Sequence, residues 1–322
     1  MERYAIFALF ASFVITASAV KLLIPILTKL KFGQRILEIG PSWHSSKSGT
    51  PTMGGIAFIL TALLVLGVFA LINGGEEALK LVFCLLYAVL NGFIGVLDDA
   101  VKMKRKQNEG LTAFMKFLLQ LAAASLFITV MRISGMITTE IYIPFLKIDF
   151  DIGRLYYPFA IIFLTGFVNA VNLTDGLDGL CSSVTAVVAF FFAMLAISVD
   201  SYASTVISLS ILGICLGFLI YNFHPAKIFM GDTGSLFLGS TISALSLISG
   251  KNTVLFIVGA VYLLEAVSVI LQVLYYKAMK KRLFLMAPIH HHFEKKGMSE
   301  VSITISFAFV TAITSVIAYL FA

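Results

Sequence analysis

The stretch from Asn91 to Lys116, NGFIGVLDDAVKMKRKQNEGLTAFMK, decides how this chain folds. Its apolar start ends abruptly at Asp98 and Asp99, and the basic run KMKRK begins three residues later. Adjacent carboxylates at the end of a hydrophobic helix are costly unless they face water, a metal ion or a cation. On a continuous helix Lys102 would share one face with both aspartates. For this motif alone a solvated charged loop is the favoured explanation, but together with the other polar loops it indicates a membrane helix that ends in a site for a cation and an anionic phosphate.

The composition is that of an integral membrane protein. Of 322 residues, 59% are hydrophobic and 12% are charged, and the mean hydropathy is +0.99. Soluble domains carry about 25% charged residues, so a soluble globule of this size is excluded. Cys84, Cys181 and Cys215 stand singly in apolar segments, which argues against a disulfide framework or a zinc site. The N-terminus lacks a basic region and a cleavage pattern, so an uncleaved first span is expected.

Ten segments are long and apolar enough to span a bilayer, which needs roughly 20 residues. They are residues 4–23, 54–72, 80–97, 112–131, 155–171, 179–198, 203–221, 235–250, 253–276 and 301–320. Most of the 23 Lys and Arg residues lie in the gaps that follow the odd-numbered spans. The positive-inside rule therefore predicts an all-α polytopic protein with both termini extracytoplasmic and these loops in the cytosol. No internal repeat is evident, so residues 1–322 are predicted to form one domain, with a short hairpin in the outer gap 132–154.

Four further cytosolic loops carry polar residues besides loop two, the opening stretch. Loop one, residues 21–54, contains KSGTPTMGG with Lys47; its glycines suit phosphate binding, but a helix-capping turn explains it equally well. In loop three, residues 171–179, Asn172, Asp175 and Asp178 recur every third residue and would share one helical face. Capping of the next helix explains Asp175 alone, so a functional role is favoured for the three together.

Loops four and five add a carboxylate, an aromatic ring and histidines. In loop four, residues 221–235, Asp232 lies between glycines and close to hydroxyls, a setting that suits Mg²⁺. Phe229, three residues earlier, could stack on a planar base or simply contact lipid or the protein core. Loop five, residues 277–300, holds three consecutive histidines beginning at His290. Consecutive residues do not point the same way, so hydrogen bonding to phosphate or ribose is favoured over a shared metal ion. Glu265, inside the ninth span, is expected to lie far from this cluster, at a helix break or in a bundle-facing hydrogen bond.

Carboxylates for Mg²⁺, lysines for phosphate and an aromatic ring for a base together indicate phosphoryl transfer from a nucleotide diphosphate. Such catalysis consists largely of positioning and charge neutralisation. Since the loops lie at the membrane surface, the acceptor is expected to be a lipid that the bilayer delivers there.

Five motifs in order carry a family resemblance that covers essentially the whole chain: GTPTMGG, GVLDDAVK, VNLTDGLDGL, NFHPAKIFMGDTGSL and APIHHHFE. Together they resemble the prokaryotic phospho-N-acetylmuramoyl-pentapeptide-transferases, within the polyprenyl-phosphate N-acetylhexosamine-1-phosphate transferases. The run PIHHHFE indicates the muramoyl-pentapeptide branch.

The resemblance implies an EC 2.7.8.13 reaction in peptidoglycan synthesis, in which phospho-MurNAc-pentapeptide passes from UDP-MurNAc-pentapeptide to undecaprenyl phosphate and gives lipid I and UMP. It implies a catalytic set of Asp98, Asp99, Lys116, Asp232 and His291, with Asp232 and Asp99 as Mg²⁺ ligands and Asp98 as the base. It implies a substrate-binding set of Lys47, Thr52, Lys102, Asn172, Asp175, Asp178, Asn222, Phe229, Gly231, Gln272, His290 and His292. A homodimer in the bacterial inner membrane, inhibition by nucleoside antibiotics such as tunicamycin and no nucleic-acid partner are further expectations.

Three alternatives stay open at this point. Asp98 could attack the β-phosphate and form a covalent intermediate, although direct attack by the lipid phosphate is favoured because it is already a nucleophile. A related enzyme would use UDP-GlcNAc as the donor. A secondary transporter would place its polar groups near the bilayer midplane between repeats, which this sequence does not show.

Overall fold

The computed structural model describes residues 2–30, 47, 49–105 and 110–322. Most of loop one and the basic residues Lys31, Arg35 and Lys106, which entered the charge pattern, lie outside these ranges. The helices and strands are α1 (Glu2–Lys29), α2 (Ile56–Asn73), α3 (Gly75–Arg105), α4 (Ala113–Ile133), β1 (Glu140–Ile143), β2 (Ile148–Asp151), α5 (Tyr156–Thr174), α6 (Leu180–Ser198), α7 (Tyr202–Asn222), α8 (Gly231–Ile248), α9 (Leu255–Val258), α10 (Ala260–Met279), α11 (Ile289–Lys295) and α12 (Glu300–Phe321).

The polytopic membrane class is confirmed. Within the described ranges, nine helices are long and apolar enough to cross a bilayer: α1 to α7, α10 and α12. Large apolar side chains such as Leu71 and Ile133 are 88% and 81% exposed, as expected of surfaces that lipid covers. The predicted span 235–250 is helix α8, which is not among the nine, so the count of ten spans and their orientation stay predictions.

Helix α8 lies at the centre of the bundle. Every residue from Thr233 to Leu247 is buried, and the helix packs against α3, α5, α6 and α7. Its sequence alternates leucine and isoleucine with glycine, serine and threonine, and such small residues let neighbouring helices approach closely in a membrane bundle. A helix enclosed by protein on all sides does not need the continuous apolar surface of a lipid-facing span.

The predicted ninth span, residues 253–276, is interrupted. A short 3₁₀ turn at Asn252–Val254 leads into α9, and the chain breaks at Gly259 before α10 begins. The hydroxyl of Ser268 donates to the carbonyl of Glu265 at 2.7 Å, one turn apart on α10. The break thus separates the short helix α9 from the 20-residue helix α10, whose C-terminal end leads into loop five.

The hairpin predicted for residues 132–154 is confirmed, and its location on the outer side of the membrane stays a prediction. Strands β1 and β2 pair antiparallel, with Glu140 opposite Asp151 and Ile143 opposite Ile148. Tyr142 anchors the hairpin, because its hydroxyl donates to the carbonyl oxygen of Ala322 at 2.6 Å. The three cysteines are also as expected, each buried and without a disulfide.

Candidate active site

Asp98 and Asp99 lie on helix α3, which continues past them, and not in a solvated loop. Helix α3 continues eight residues past the predicted end of its span, so both carboxylates sit on its last two turns and are only 3% exposed. Carboxylate oxygens of Asp98, Asp99 and Asp232 all lie within 4.8 Å of one another. The convergence predicted for loops two and four is therefore present.

Asp99 joins α3 to the start of α8. Its carboxylate accepts hydrogen bonds from the backbone N–H of Asp232 at 3.2 Å and of Thr233 at 3.0 Å. The hydroxyl of Thr233 donates to the same carboxylate at 2.7 Å. The first N–H groups of a helix have no partner within it and favour a negative charge, so Asp99 acts as the cap that α8 lacks in its own sequence.

Two lysines neutralise Asp232. The Nζ atoms of Lys102 and Lys116 lie 2.9 Å and 2.7 Å from Asp232 Oδ2. Lys102 also contacts Asp98 Oδ2 at 2.7 Å, one helical turn away. With two ammonium groups and three carboxylates, this group of five side chains carries a net charge of one negative unit when all five are ionised.

Asn172 holds loop three against the cluster. Its Nδ2 donates to Asp232 Oδ1 at 2.9 Å and to Ser235 Oγ at 2.7 Å, and its Oδ1 accepts from Lys116 at 3.3 Å. Ser235 belongs to the quoted motif GDTGSL, but its role was not anticipated. Asp175 follows at the end of α5, where burial, and then the negative charges of Asp232 and Asp99, raise its pKa to about 8.

A second ion cluster joins loop one to loop three and to α12. Lys47 Nζ lies 2.7 Å from Asp178 Oδ1 and 2.5 Å from Glu300 Oε2. Asp178 Oδ2 also contacts His224 Nδ1 at 2.9 Å and accepts from the backbone N–H of Ala226 at 3.0 Å. Burial opposes ionisation of Asp178, but the bond to Lys47 prevails and holds its pKa below the usual range. Sequence reasoning missed Glu300, whose only signal was a carboxylate at the start of the last span.

The remaining residues of loops one and four support the site from beside α8. Thr52 and Phe229 belong to segments that pair through the backbone, since Phe229 N–H donates to the carbonyl of Pro51 at 2.8 Å. The Thr52 hydroxyl lies close to Gly231, where α8 begins. Asn222 is buried and bridges two loops, because it accepts from Gly179 N–H at 3.1 Å and donates to the carbonyl of Ile228 at 2.9 Å.

The histidines lie on α11, at the edge of loop three. His291 Nδ1 contacts Glu294 Oε2 at 2.8 Å, one turn away. His292 Nδ1 accepts from the backbone N–H of Leu285 at 3.1 Å, and burial together with Lys296 lowers its pKa. Gln272 Oε1 accepts from two backbone N–H groups in the segment between α10 and α11.

Glu265 is not remote from this group, so the expected separation is wrong. Its Oε2 lies 3.0 Å from His290 Nδ1, and both side chains are almost fully buried. The residues quoted from the five loops thus form three adjoining groups at one end of the bundle: the aspartate–lysine group, the Lys47–Asp178 group and the α11 histidines.

The family model of glycosyl transferase family 4 matches residues 81–250, which include the carboxylate cluster and both lysines, so the class of protein is a glycosyl transferase of family 4 built on a bundle of membrane helices. The phospho-N-acetylmuramoyl-pentapeptide-transferase signature 1 matches residues 47–59. Enzymes of that name are similar to the chain: 44% identical in Listeria welshimeri over 100% of both chains, 44% in Clostridium acetobutylicum over 98% of each, and 42% in Halalkalibacterium halodurans over 95% of this chain and 94% of the relative.

The chain belongs to the phospho-N-acetylmuramoyl-pentapeptide-transferases, which transfer phospho-MurNAc-pentapeptide to undecaprenyl phosphate and form lipid I. The resemblance drawn from the five motifs is confirmed. Family membership also favours this reaction over the UDP-GlcNAc alternative and over transport.

Proposed function

We propose that this transfer takes place at the Asp98–Asp99–Asp232 cluster, on the cytoplasmic side of the membrane, and that it requires Mg²⁺. The observation that carries the proposal is the meeting of these carboxylates with Lys102, Lys116 and Asn172, which come from three different helices, α3, α4 and α5. Buried carboxylates and lysines that converge from distant segments are typical of a catalytic site rather than of a solvated surface.

The donor set fits Mg²⁺. Carboxylate oxygens are the ligands that this hard cation prefers, and it usually shares them with substrate phosphates. The ammonium of Lys102 already bridges Asp98 and Asp232 at 2.7 Å and 2.9 Å, so the space between these carboxylates accommodates a small cation. The net negative charge of the five side chains favours one further positive charge. Asp98 and Asp232 would hold the ion. The Asp99 oxygens already accept hydrogen bonds from α8, so Asp99 would instead fix the position of Asp232 relative to α3.

When bound, Mg²⁺ would neutralise charge on the diphosphate as the phosphoryl group moves. In the reaction, an oxygen of undecaprenyl phosphate forms a bond to the phosphorus of phospho-MurNAc, and the bond from that phosphorus to UMP breaks. UMP leaves with the electron pair. Lys102 and Lys116 would stabilise the charge on the phosphoryl oxygens, and Asp98 would take any proton that the lipid phosphate still carries.

The contacts of Asp98 support direct attack by the lipid. One of its oxygens accepts from the backbone N–H of Leu111 at 2.8 Å, and the other contacts Lys102. Each Asp98 oxygen thus has one partner and keeps a lone pair for a proton or a metal ion, whereas a covalent bond to phosphorus would require the carboxylate to move away from these partners.

The uridine diphosphate end of the donor would lie along loops three and four, near Asn172, Asp175, Gly231 and the half-buried ring of Phe229. Lys47 and Asp178 bind each other, so they would first fix the position of loops one and three and only then contact the sugar or diphosphate. Thr52, Asn222, Gln272 and the α11 histidines border the same region, where His291 would complete the catalytic set. A homodimer and inhibition by nucleoside antibiotics follow from the same family resemblance.

The proposal is tested by UMP release from purified protein supplied with UDP-MurNAc-pentapeptide and undecaprenyl phosphate. Asp232→Asn removes the charge shared by both lysines and the metal, and is expected to lower kcat at least about 10²-fold at any Mg²⁺ concentration. Asp149→Asn, on the exposed strand β2 at the far end of the molecule, is the matched control and should retain full activity. Substantial turnover by Asp232→Asn, or turnover by the wild type in excess EDTA, would contradict the proposal.

Two further arms separate the alternatives. UDP-GlcNAc in place of the muramoyl donor should give no UMP. Radiolabelled UDP-MurNAc-pentapeptide without lipid should leave no label on the protein, whereas trapped label at Asp98 would overturn direct attack in favour of the covalent route.

A further inference from the structure

Glu265 and His290 form a buried polar pair beside the donor region, and Glu265 has no role in the proposed reaction. Glu265 lies on α10, and His290 lies in the first turn of α11, 25 residues later. Glu265 Oε2 lies 3.0 Å from His290 Nδ1 and 3.5 Å from the backbone nitrogen of the same residue. Both residues are 0% exposed, so neither contacts substrate directly in this arrangement.

The other side of the imidazole lies against loop three. A Cβ atom placed on Gly176 would come within 2.1 Å of His290 Nε2, so the ring rests directly on the bare backbone of this glycine. Gly176 follows Asp175 in the loop that also bears Asp178. His290 is therefore held between a carboxylate on α10 and the loop that borders the aspartate–lysine group.

The polar character of this pair is not explained by packing alone. Within the part of the chain that the structure describes, Glu265 Oε1 and both ring nitrogens of His290 lack a well-aligned hydrogen bond, so the 3.0 Å approach of Glu265 Oε2 to Nδ1 is a close contact that a small rotation of either side chain would turn into a hydrogen bond. Burial of unsatisfied polar atoms and of a carboxylate within a membrane bundle is costly, and apolar side chains of similar size would pack at less expense. A carboxylate on one ring nitrogen fixes the orientation and tautomer of a histidine, which gives the pair a use that an apolar contact would lack.

We propose that Glu265 is a positioning residue that holds His290 against Gly176. This contact fixes loop three, and with it Asp175 and Asn172, in the position that donor binding requires. This inference rests on the proposed function, in which loop three borders the uridine diphosphate of the donor. In that arrangement loop three borders the donor, whereas no contact between loop three and the lipid acceptor is proposed. Loss of the pair should therefore affect the two substrates unequally.

The test compares Glu265→Gln and Glu265→Ala with Ser268→Ala, a buried control one turn away on α10 whose hydroxyl bonds only to a backbone carbonyl. Both Glu265 variants should lower kcat/KM for UDP-MurNAc-pentapeptide, by about 10- to 100-fold for Glu265→Ala, and should raise the donor KM. Glu265→Gln keeps the shape of the side chain and should lose less. The KM for undecaprenyl phosphate and the activity of Ser268→Ala should stay within about twofold of the wild type.

A double-mutant cycle with His290→Asn decides whether Glu265 acts through His290. In that background Glu265→Gln should cause no further loss, because the imidazole it orients is gone. Additive losses, equal effects on both substrates, or a comparable loss in Ser268→Ala would each overturn the inference. Failure of the proposed site would appear instead as turnover by Asp232→Asn, so the two failures are distinguishable.

Discussion

Replacement of Gly95 by alanine tests whether the spacing of α3 and α8 sets the geometry of the aspartate–lysine group. Gly95 lies on α3, one turn before Asp98 and Asp99. A Cβ atom at this position would lie 2.3 Å from the carbonyl oxygen of Asp232 and 2.5 Å from the backbone nitrogen of Thr233. These are backbone atoms of α8, so no side chain can rotate away to make room.

The size of the effect follows from these distances. A carbon–oxygen contact normally lies at roughly 3.3 Å or more, so Gly95→Ala should push α3 and α8 apart by about 1 Å. The hydrogen bonds that the N–H groups of Asp232 and Thr233 donate to the Asp99 carboxylate, now 3.2 Å and 3.0 Å, would lengthen accordingly. Overpacking of this kind costs about 1–3 kcal/mol of stability. A displacement of about 1 Å between catalytic groups lowers the rate by about 10²-fold.

The assay is UMP release per mole of folded protein, with the melting temperature measured on the same sample. Gly166→Ala is the matched control, since a Cβ atom there meets nothing within 4 Å. Because the added methyl group meets no other atom, this control should keep the activity and the melting temperature of the wild type. A folded Gly95→Ala protein with activity within about threefold of the wild type would refute the argument that close contact of α3 and α8 sets the site.

Two further predictions concern the residues around the aspartate–lysine group. Lys47→Met leaves Asp178 and Glu300 without their shared cation and should lower the free energy of unfolding by roughly 3 kcal/mol, measured by thermal or denaturant unfolding. Glu300→Gln keeps the Lys47–Asp178 pair and should lower the free energy of unfolding clearly less. Equal losses in the two variants would contradict this prediction. The pKa of Asp175 is raised to about 8, so between about pH 4 and pH 8 the folded protein holds a proton on this residue that the unfolded chain has lost. Asp175 therefore makes the free energy of unfolding fall as the pH rises through this range. The measurement is made in EDTA, so that bound metal does not contribute. Asp175→Asn should remove that part of the slope in melting temperature against pH, and an unchanged slope would show that other groups cause it.

The sequence predicted the parts of the fold that depend on local pattern. Apolar length located the helices that became α1 to α7, α10 and α12, and alternation located the β1–β2 hairpin. Motif composition also indicated the residues that converge at Asp232. Each of these predictions needs only neighbouring residues, because hydrophobicity and periodicity are properties of a short window.

The pairings at the site depend instead on how distant segments pack. Lys47 contacts Asp178 and Glu300, which are 131 and 253 residues away, and no local pattern selects these partners among the other acidic residues. Glu265 was noticed as an intramembrane carboxylate, but its partner on α11 depends on the chain reversing after α10. The enclosure of α8 was equally hidden, because a hydrophobic segment rich in small residues fits either a lipid-facing span or an interior helix.

Asp232 lies on the most enclosed helix of the bundle, which holds its carboxylate in a fixed position relative to its partners. Asp99 binds the first N–H groups of α8 and so fixes the start of that helix to α3. Asp232, in the same first turn, receives Lys102 from α3, Lys116 from α4 and Asn172 from α5. Side chains from three neighbouring helices thus contact one carboxylate. Because the rest of α8 is buried, that carboxylate cannot move independently of these helices. Since phosphoryl transfer depends mainly on the alignment of charges with the reacting phosphates, a change that shifts α8 should impair turnover even where every proposed catalytic side chain is intact.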